Sequence, residues 1–256
     1  MNGYENFIKL INDLIGLDLS LYKERQMKRR IESLAKRHGA DDFVTFYNKI
    51  KSDKAVFDEF INYLTINVSE FYRNPGQWDV LVKEIVPELL KTRKNLKIWS
   101  AACSTGEEPY TIAMAMSNFF PLKEIKILAV DIDKEAINKA KNGIYSEKSI
   151  IGVPDQFKNK YFEKIANSFK ISQEIKNTIE FKHFNLLKDT YPSNYDLIVC
   201  RNVMIYFTEE AKDEMYHKFS NALTPGGILF VGSTEQIISP DKYKLAPSKT
   251  FFYKKI

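Results

Sequence analysis

The residues best able to do chemistry in this chain gather in the run WSAACSTGEEP, Trp99 to Pro109. There a stretch of small residues with one glycine, Gly106, leads into two adjacent carboxylates, Glu107 and Glu108. A loop that cradles a pyrophosphate spaces glycines as GxGxxG, so that backbone N–H groups can approach the anion at a helix N-terminus. One glycine followed by two anions is the wrong chemistry for phosphate. It suits a ligand that carries positive charge and no phosphate. A plainer reading is that the acids complement a helix dipole, which is easier to accept for Glu108 than for Glu107. Asp131, in the run Asp131-Ile132-Asp133, offers a carboxylate that can accept two hydrogen bonds from a ribose diol. Asp131 could equally be a turn or cap residue. A third polar run follows at Arg201-Asn202-Val203-Met204-Ile205-Tyr206.

These runs matter together because of the elements that must hold them. Short apolar, β-branched segments at Lys97–Ala101, Ile125–Val130, Tyr195–Cys200 and Gly227–Gly232 alternate with helical patterns at Glu108–Phe119, Lys134–Lys141 and Glu209–Leu223. Such alternation predicts an α/β fold with a mostly parallel, doubly wound sheet. Ligands of open parallel sheets bind beyond the carboxyl ends of the strands, where all three runs fall. S-adenosylmethionine, with a sulfonium, an ammonium, a ribose and no phosphate, meets the demands of the first two loops. The final FFYKKI reads as a last strand that can form an antiparallel hairpin with its predecessor.

The earlier part of the chain is different. Helical patterns cover Tyr4–Ile15, Leu21–Arg37, Phe43–Lys51 and Lys54–Leu64, with Asp18 or Ser20 as a possible cap for the second. The expected domains are a helical one over 1–74, a linker over 75–95 with a helix around Trp78–Leu90, and an α/β domain over 96–256. Residues from about 146 to 184 are too long for an ordinary connection and are expected to form a small inserted β-subdomain, with strands at Ser168–Ser172 and Asn177–His183.

Composition excludes several classes. With 256 residues, 44% hydrophobic and 28% charged, the chain can bury a core or two. The start MNGYENFIKLIND lacks the basic region of a signal peptide, and no apolar run reaches the roughly 18 residues of a membrane span, so a cytoplasmic protein with no membrane insertion is expected. Two cysteines, Cys103 and Cys200, and three scattered histidines, His38, His183 and His217, make no metal or disulfide pattern; both thiols are expected as small buried hydrophobes. The net charge is +5, and the segment Leu21–Arg37 alone carries seven basic residues against two acids. On a helix, Arg25, Arg29 and Lys36 fall within roughly 40° of one another, opposite Met27, Ile31 and Leu34. That row could be an ordinary solvated face, or a surface for an acidic partner or nucleic acid.

Five runs in order, TINVSEFYRN (Thr65–Asn74), KIWSAACSTGEEPYTIA (Lys97–Ala113), DID (Asp131–Asp133), NLL (Asn185–Leu187) and CRNVMIYF (Cys200–Phe207), resemble the chemotaxis receptor methyltransferases, the CheR family. The resemblance spans essentially the whole chain. It implies a class I S-adenosylmethionine-dependent methyltransferase domain, Rossmann-like with an antiparallel last strand, behind an all-helical N-terminal domain. It implies methyl transfer to side-chain carboxylates of glutamates on chemoreceptor helices, with S-adenosyl-L-homocysteine as product and no nucleic-acid partner. By resemblance the cofactor contacts are Asn67, Ser69 (often Thr in the family), Arg73, Glu107, Asp131, Asn185, Leu186, Arg201 and Asn202. Tyr206 stands where many methyltransferases place an aromatic beside the methyl group, though it also fits a core tyrosine. Arg25, Arg29 and Lys36 become a docking row for a glutamate-bearing receptor helix, the inserted subdomain matches one that in some members binds a receptor C-terminal peptide, and the enzyme is expected to act as a monomer. A methyltransferase for RNA or a small molecule, and a cofactor-sensing adaptor without turnover, are the rival readings.

Overall fold

The computed structural model describes residues 3–65 and 67–256. The first two residues, and Ile66 within the TINVSEFYRN motif, lie outside the described residues. The chain forms two compact units, one of 1–67 with 203–215 and one of 68–202 with 216–256.

The first unit rests on four helices, α1 (Tyr4–Ile15), α2 (Glu24–Arg37), α3 (Phe43–Ser52) and α4 (Lys54–Thr65). Each buries residues at three- and four-residue spacing: Tyr4, Phe7 and Ile11; Met27, Ile31 and Leu34; Phe43, Phe46 and Ile50; Val56, Phe60 and Leu64. The rings of Phe7 and Phe43 lie 5.1 Å apart and those of Phe46 and Phe60 5.9 Å apart, so aromatic packing ties three of the helices together. Asp42 caps α3 by accepting from the Thr45 N–H at 2.8 Å. Asp18 does not cap α2. It accepts from Ser20 N and starts a short 3-10 turn, Leu19–Leu21, and α2 begins at Glu24 without a side-chain cap.

The segment 203–215 joins this unit through main-chain bonds. Lys23 N donates to Tyr206 O at 2.9 Å, Thr208 N donates to Leu21 O at 2.9 Å, and the Tyr22 and Phe207 rings meet edge-on at 5.0 Å.

The second unit begins with α5 (Pro75–Val80) and α6 (Val86–Leu90), joined by a π-helical turn at Leu81–Ile85. Trp78, Leu81, Ile85, Val86 and Leu89 are buried in the same core as the sheet, so this segment packs as part of the α/β layer. Then follow β1 (Lys97–Ala101), α7 (Glu107–Met116), β2 (Lys126–Asp131), α8 (Lys134–Asn142), β3 (Ile144–Ser146), α9 (Asp155–Tyr161), β4 (Phe162–Ile165), β5 (Ser168–Ile171), α10 (Gln173–Lys176), β6 (Ile179–His183), β7 (Tyr195–Cys200), α11 (Glu209–Ala222), β8 (Leu223–Val231), β9 (Leu245–Lys249) and β10 (Phe252–Lys255).

The large sheet runs β6-β2-β1-β7-β8-β10-β9. Pairings from β6 through β8 are parallel, and β10 is antiparallel to both β8 and β9. Strands β1 and β7 are buried along almost their whole length, which explains their continuous apolar runs. The chain steps from β1 out to β2 and later returns to the other side of β1 as β7, so the strand order reverses between β1 and β7. That reversal opens a crevice at the carboxyl ends, as in other doubly wound sheets. A small antiparallel sheet, β3-β5-β4, stands beside the large one. The run Asn177–His183, read from sequence as part of the insertion, supplies the edge strand β6 of the large sheet instead, in register with Ile127–Asp131 of β2.

Candidate functional site

The loop after β1 is built on strained backbone. Ala102, Ser104 and Gly106 all have positive φ, at 66°, 47° and 97°. The two non-glycine residues cost on the order of 1 kcal/mol or more each, and such strain collects at functional sites. Local bonds repay it: Cys103 N donates to Val130 O at 2.8 Å, and Gly106 N donates to Cys103 O at 3.0 Å. A Cβ on Gly106 would stand 2.8 Å from the Ala140 Cβ and 3.0 Å from the Tyr145 hydroxyl. This glycine is therefore required by the close approach of α8 and Tyr145, whose hydroxyl donates to Thr105 O at 2.7 Å.

Asp131 closes β2 and is 7% exposed. One of its oxygens accepts from Ser104 N at 2.7 Å and the other from Asp133 N at 2.9 Å. A carboxylate has about four acceptor sites, so these bonds leave capacity for a further donor such as a ribose hydroxyl. Burial raises its pKa to about 6, against the pull of those backbone donors. Glu107, 6% exposed, accepts from the Thr105 hydroxyl at 2.7 Å and from the Ser69 side chain; burial raises its pKa too. Two buried carboxylates with spare acceptor sites, at the mouth of a crevice without a phosphate loop, fit a cationic nucleoside.

Glu108 has a different environment from its neighbour. Its side chain accepts from the Ser100 hydroxyl at 2.9 Å and sits 3.8 Å from Arg201 Nη1. Burial lifts its pKa to about 7, opposed chiefly by Arg201. Its side chain is 12% exposed and lies in the first turn of α7, so it faces Arg201 as well as the helix start.

The remaining loops bring further expected residues to the same ends of the strands. After β6, Asn185 N donates to Asp189 Oδ2 at 2.8 Å, and the Asn185 side-chain oxygen accepts from Leu187 N at 2.9 Å. That turn leaves the Leu186 N–H without a protein acceptor among the described residues, and Leu186 is 7% exposed, which suits the edge of a base. After β7, Asn202 holds φ 61° and donates its N–H to Glu235 Oε2 at 2.6 Å. Gly232 N donates to the same oxygen at 2.8 Å.

Glu235, Gly232, Asp189 and Ser100 were not singled out from sequence. Only a carboxylate near a strand end could have drawn attention to Glu235.

Arg201 is buried, and its Nη2 reaches Arg73 O at 2.8 Å, Gln77 Oε1 at 2.8 Å and Asn74 Oδ1 at 3.2 Å. Arg73 keeps its guanidinium half-exposed, with Nη1 3.4 Å from Val68 O. The second unit thus brings together Ser69, Arg73, Glu107, Asp131, Asn185, Leu186, Arg201 and Asn202. Two expected residues, Asn67 and Tyr206, belong to the first unit: Asn67 donates to the Thr65 hydroxyl at 3.1 Å, and Tyr206 is held through its carbonyl by Lys23. Cys103 and Cys200 are both buried, and burial raises both thiols well above their ordinary range.

In the first unit Arg25, Arg29 and Lys36 are exposed along one side of α2. Arg30 and Arg37 are engaged instead: both guanidinium groups lie over the Tyr63 ring, at 4.5 and 4.9 Å, and Arg37 also meets Glu59 at 3.1 Å. Among the described residues no helix is long and apolar enough to cross a membrane.

A doubly wound, mostly parallel sheet with an antiparallel last strand, and acids after β1 and β2 in place of a glycine-rich phosphate loop, defines a class I S-adenosylmethionine-dependent methyltransferase. Within that class, the chain belongs to the CheR methyltransferase family. Residues 2–65 match the CheR methyltransferase all-alpha domain and residues 67–252 its SAM binding domain. The chain is 42% identical over 251 residues to the chemotaxis protein methyltransferase of Listeria innocua, covering 98% of this chain and 96% of that protein. It is 34% identical to that of Borreliella burgdorferi, over 90% of this chain and 86% of that protein. The chemotaxis protein methyltransferase of Escherichia coli K12 shares 31% identity over 91% of this chain and 83% of its own length.

Proposed function

We propose that this chain methylates glutamate side chains on the cytoplasmic helices of chemoreceptors, forming glutamyl methyl esters in sensory adaptation. The observation that carries this reading is the match along nearly the full length of chemotaxis methyltransferases, covering both the helical and the cofactor-binding domain. S-adenosylmethionine supplies an electrophilic methyl group on a sulfonium and leaves as the neutral thioether S-adenosylhomocysteine.

The residues divide the work of holding it. Asp131 accepts from the ribose with the acceptor capacity that its backbone donors leave over. Glu107, steadied by Thr105 and Ser69, faces the positive charge. Leu186 and Asn185 meet the adenine edge, while Arg73 and Asn202 meet the polar amino-acid end. Resemblance to the family adds Asn67 as a cofactor contact and Tyr206 as the aromatic beside the methyl group.

No general base is needed. A glutamate with a pKa of about 4.3 is already ionised at neutral pH, so its oxygen can attack the methyl carbon directly. The protein's task is alignment and exclusion of water. The first unit serves as the docking domain, with Arg25, Arg29 and Lys36 attracting an acidic receptor helix, and the enzyme works in the cytoplasm as a monomer.

The test is incubation with methyl-labelled S-adenosylmethionine and chemoreceptor-containing membranes, followed by base. Volatile labelled methanol is the expected result. Tight binding of S-adenosylhomocysteine with no base-labile methyl on the receptor would replace the enzyme with a cofactor-sensing adaptor.

A further inference from the structure

We propose that Arg201 is a positioning residue, whose buried guanidinium locks the segment Arg73–Gln77 against the end of β7 and the start of α7 and so sets the cofactor-facing groups on all three. The inference rests on the reading of this crevice as the S-adenosylmethionine site. The Arg201 side chain is 2% exposed. Its Nη2 serves Arg73 O, Gln77 Oε1 and Asn74 Oδ1, while Nη1 faces the Glu108 carboxylate. Its planar face lies 4.8 Å from the Phe230 ring and 5.3 Å from the Trp78 ring.

Both terminal nitrogens thus face protein groups, while the buried Nε has no hydrogen-bond partner among the described residues. Yet each element that the guanidinium joins presents an expected cofactor contact: Arg73 on the segment, Glu107 beside Glu108, and Asn202 next in the chain to Arg201 itself.

The segment needs such a lock. Asn74 sits in the left-handed region at φ 59° and leads into Pro75 at the first turn of α5, so the chain reverses sharply where Arg73 must be aimed. The Arg73 carbonyl accepts from Trp78 Nε1 at 3.0 Å as well as from Arg201. The backbone of Arg73 is thus held by two donors, which fixes the point from which its side chain leaves. Lysine could not replace this lock, because a single ammonium has no planar fork to reach a carbonyl, an amide and a carboxylate while stacking on two rings.

The experiment compares Arg201→Lys, Gln77→Ala and Gln77→Glu with the wild type by calorimetry against S-adenosylhomocysteine, by thermal melting and by steady-state methylation. For folded Arg201→Lys, Kd for S-adenosylhomocysteine and KM for S-adenosylmethionine should rise together by about ten-fold or more, with kcat at saturation and KM for receptor nearly unchanged. Gln77 lies half-exposed at the start of α5, so its replacement leaves the fold intact even if Arg201→Lys does not fold. Gln77→Ala should weaken binding by about three-fold or more, and Gln77→Glu, which keeps an acceptor for Arg201, should restore it. Unchanged Kd in Gln77→Ala, or a lowered melting temperature in folded Arg201→Lys with wild-type Kd, would overturn the lock. Failure of the wild type itself to bind S-adenosylhomocysteine would instead remove the cofactor-site reading beneath it.

Discussion

At the scale of single residues, Asp131 at the end of β2 and Glu108 in the first turn of α7 are carboxyl groups whose pKa values are raised by burial, to about 6 and about 7. A folded-state pKa above the unfolded one means that the native protein holds more protons between those two values. The stabilising contribution is then full below about pH 4 and is lost as pH rises through the folded pKa. In the proposed site an ionised Asp131 would suit a diol, and a negative crevice would suit a sulfonium. Glu108→Gln keeps an acceptor for the Ser100 hydroxyl but removes the titration. We expect the melting temperature of the wild type to fall relative to Glu108→Gln between pH 5 and pH 8, a window spanning the shift to about 7. A difference between the two melting curves that stays constant across that range would show that Glu108 does not titrate there.

Elements determine which of these residues meet. Gly232 ends the run of β8 where a Cβ would lie 2.3 Å from Glu235 Oε2 and 2.9 Å from Asn202 N. Gly232→Ala is therefore expected to destabilise the protein by roughly 1–3 kcal/mol and to loosen Asn202, seen as a lower melting temperature and weaker S-adenosylhomocysteine binding. Helices with strong periodicity, such as Tyr4–Ile15, and strands with continuous apolar runs, such as Lys97–Ala101 and Tyr195–Cys200, were legible in the sequence to the residue. Their local pattern and their burial say the same thing.

The network beneath the crevice was not legible, because its partners lie far apart in the chain. Nothing near Arg201 points to Gln77 or Ser100, and Glu235 sits in a polar stretch with no spacing signal toward Asn202. The edge strand Ile179–His183 was assigned to the insertion for a related reason. Ile179 and Phe181 are half-buried and Glu180, Lys182 and His183 exposed, an alternation that suits either sheet, and only its pairing with β2 says which one it joins.

For the whole molecule, the distribution of charge leads to a separate prediction. Arg25, Arg29 and Lys36 stand exposed in the first unit, whereas the carboxylates expected to hold the cofactor are in the second. Reversing Arg25 and Arg29 to Glu should abolish most receptor methylation while leaving S-adenosylhomocysteine affinity within about two-fold. The wild-type KM for receptor should also rise with salt, since exposed charges are screened beyond roughly 8 Å at physiological ionic strength. Methylation that survives the reversal would assign receptor docking to another surface.

The membership of 203–215 in the helical unit has a consequence for modularity. A cut near residue 67 would respect the order of the chain but strand a passenger: Phe207 would lose the Tyr22 ring, and the Leu21–Lys23 backbone would lose its partners Tyr206 and Thr208. If the helical unit docks the receptor, as proposed, a chimera that exchanges receptor preference is expected to need two pieces, the helices and the stretch after β7.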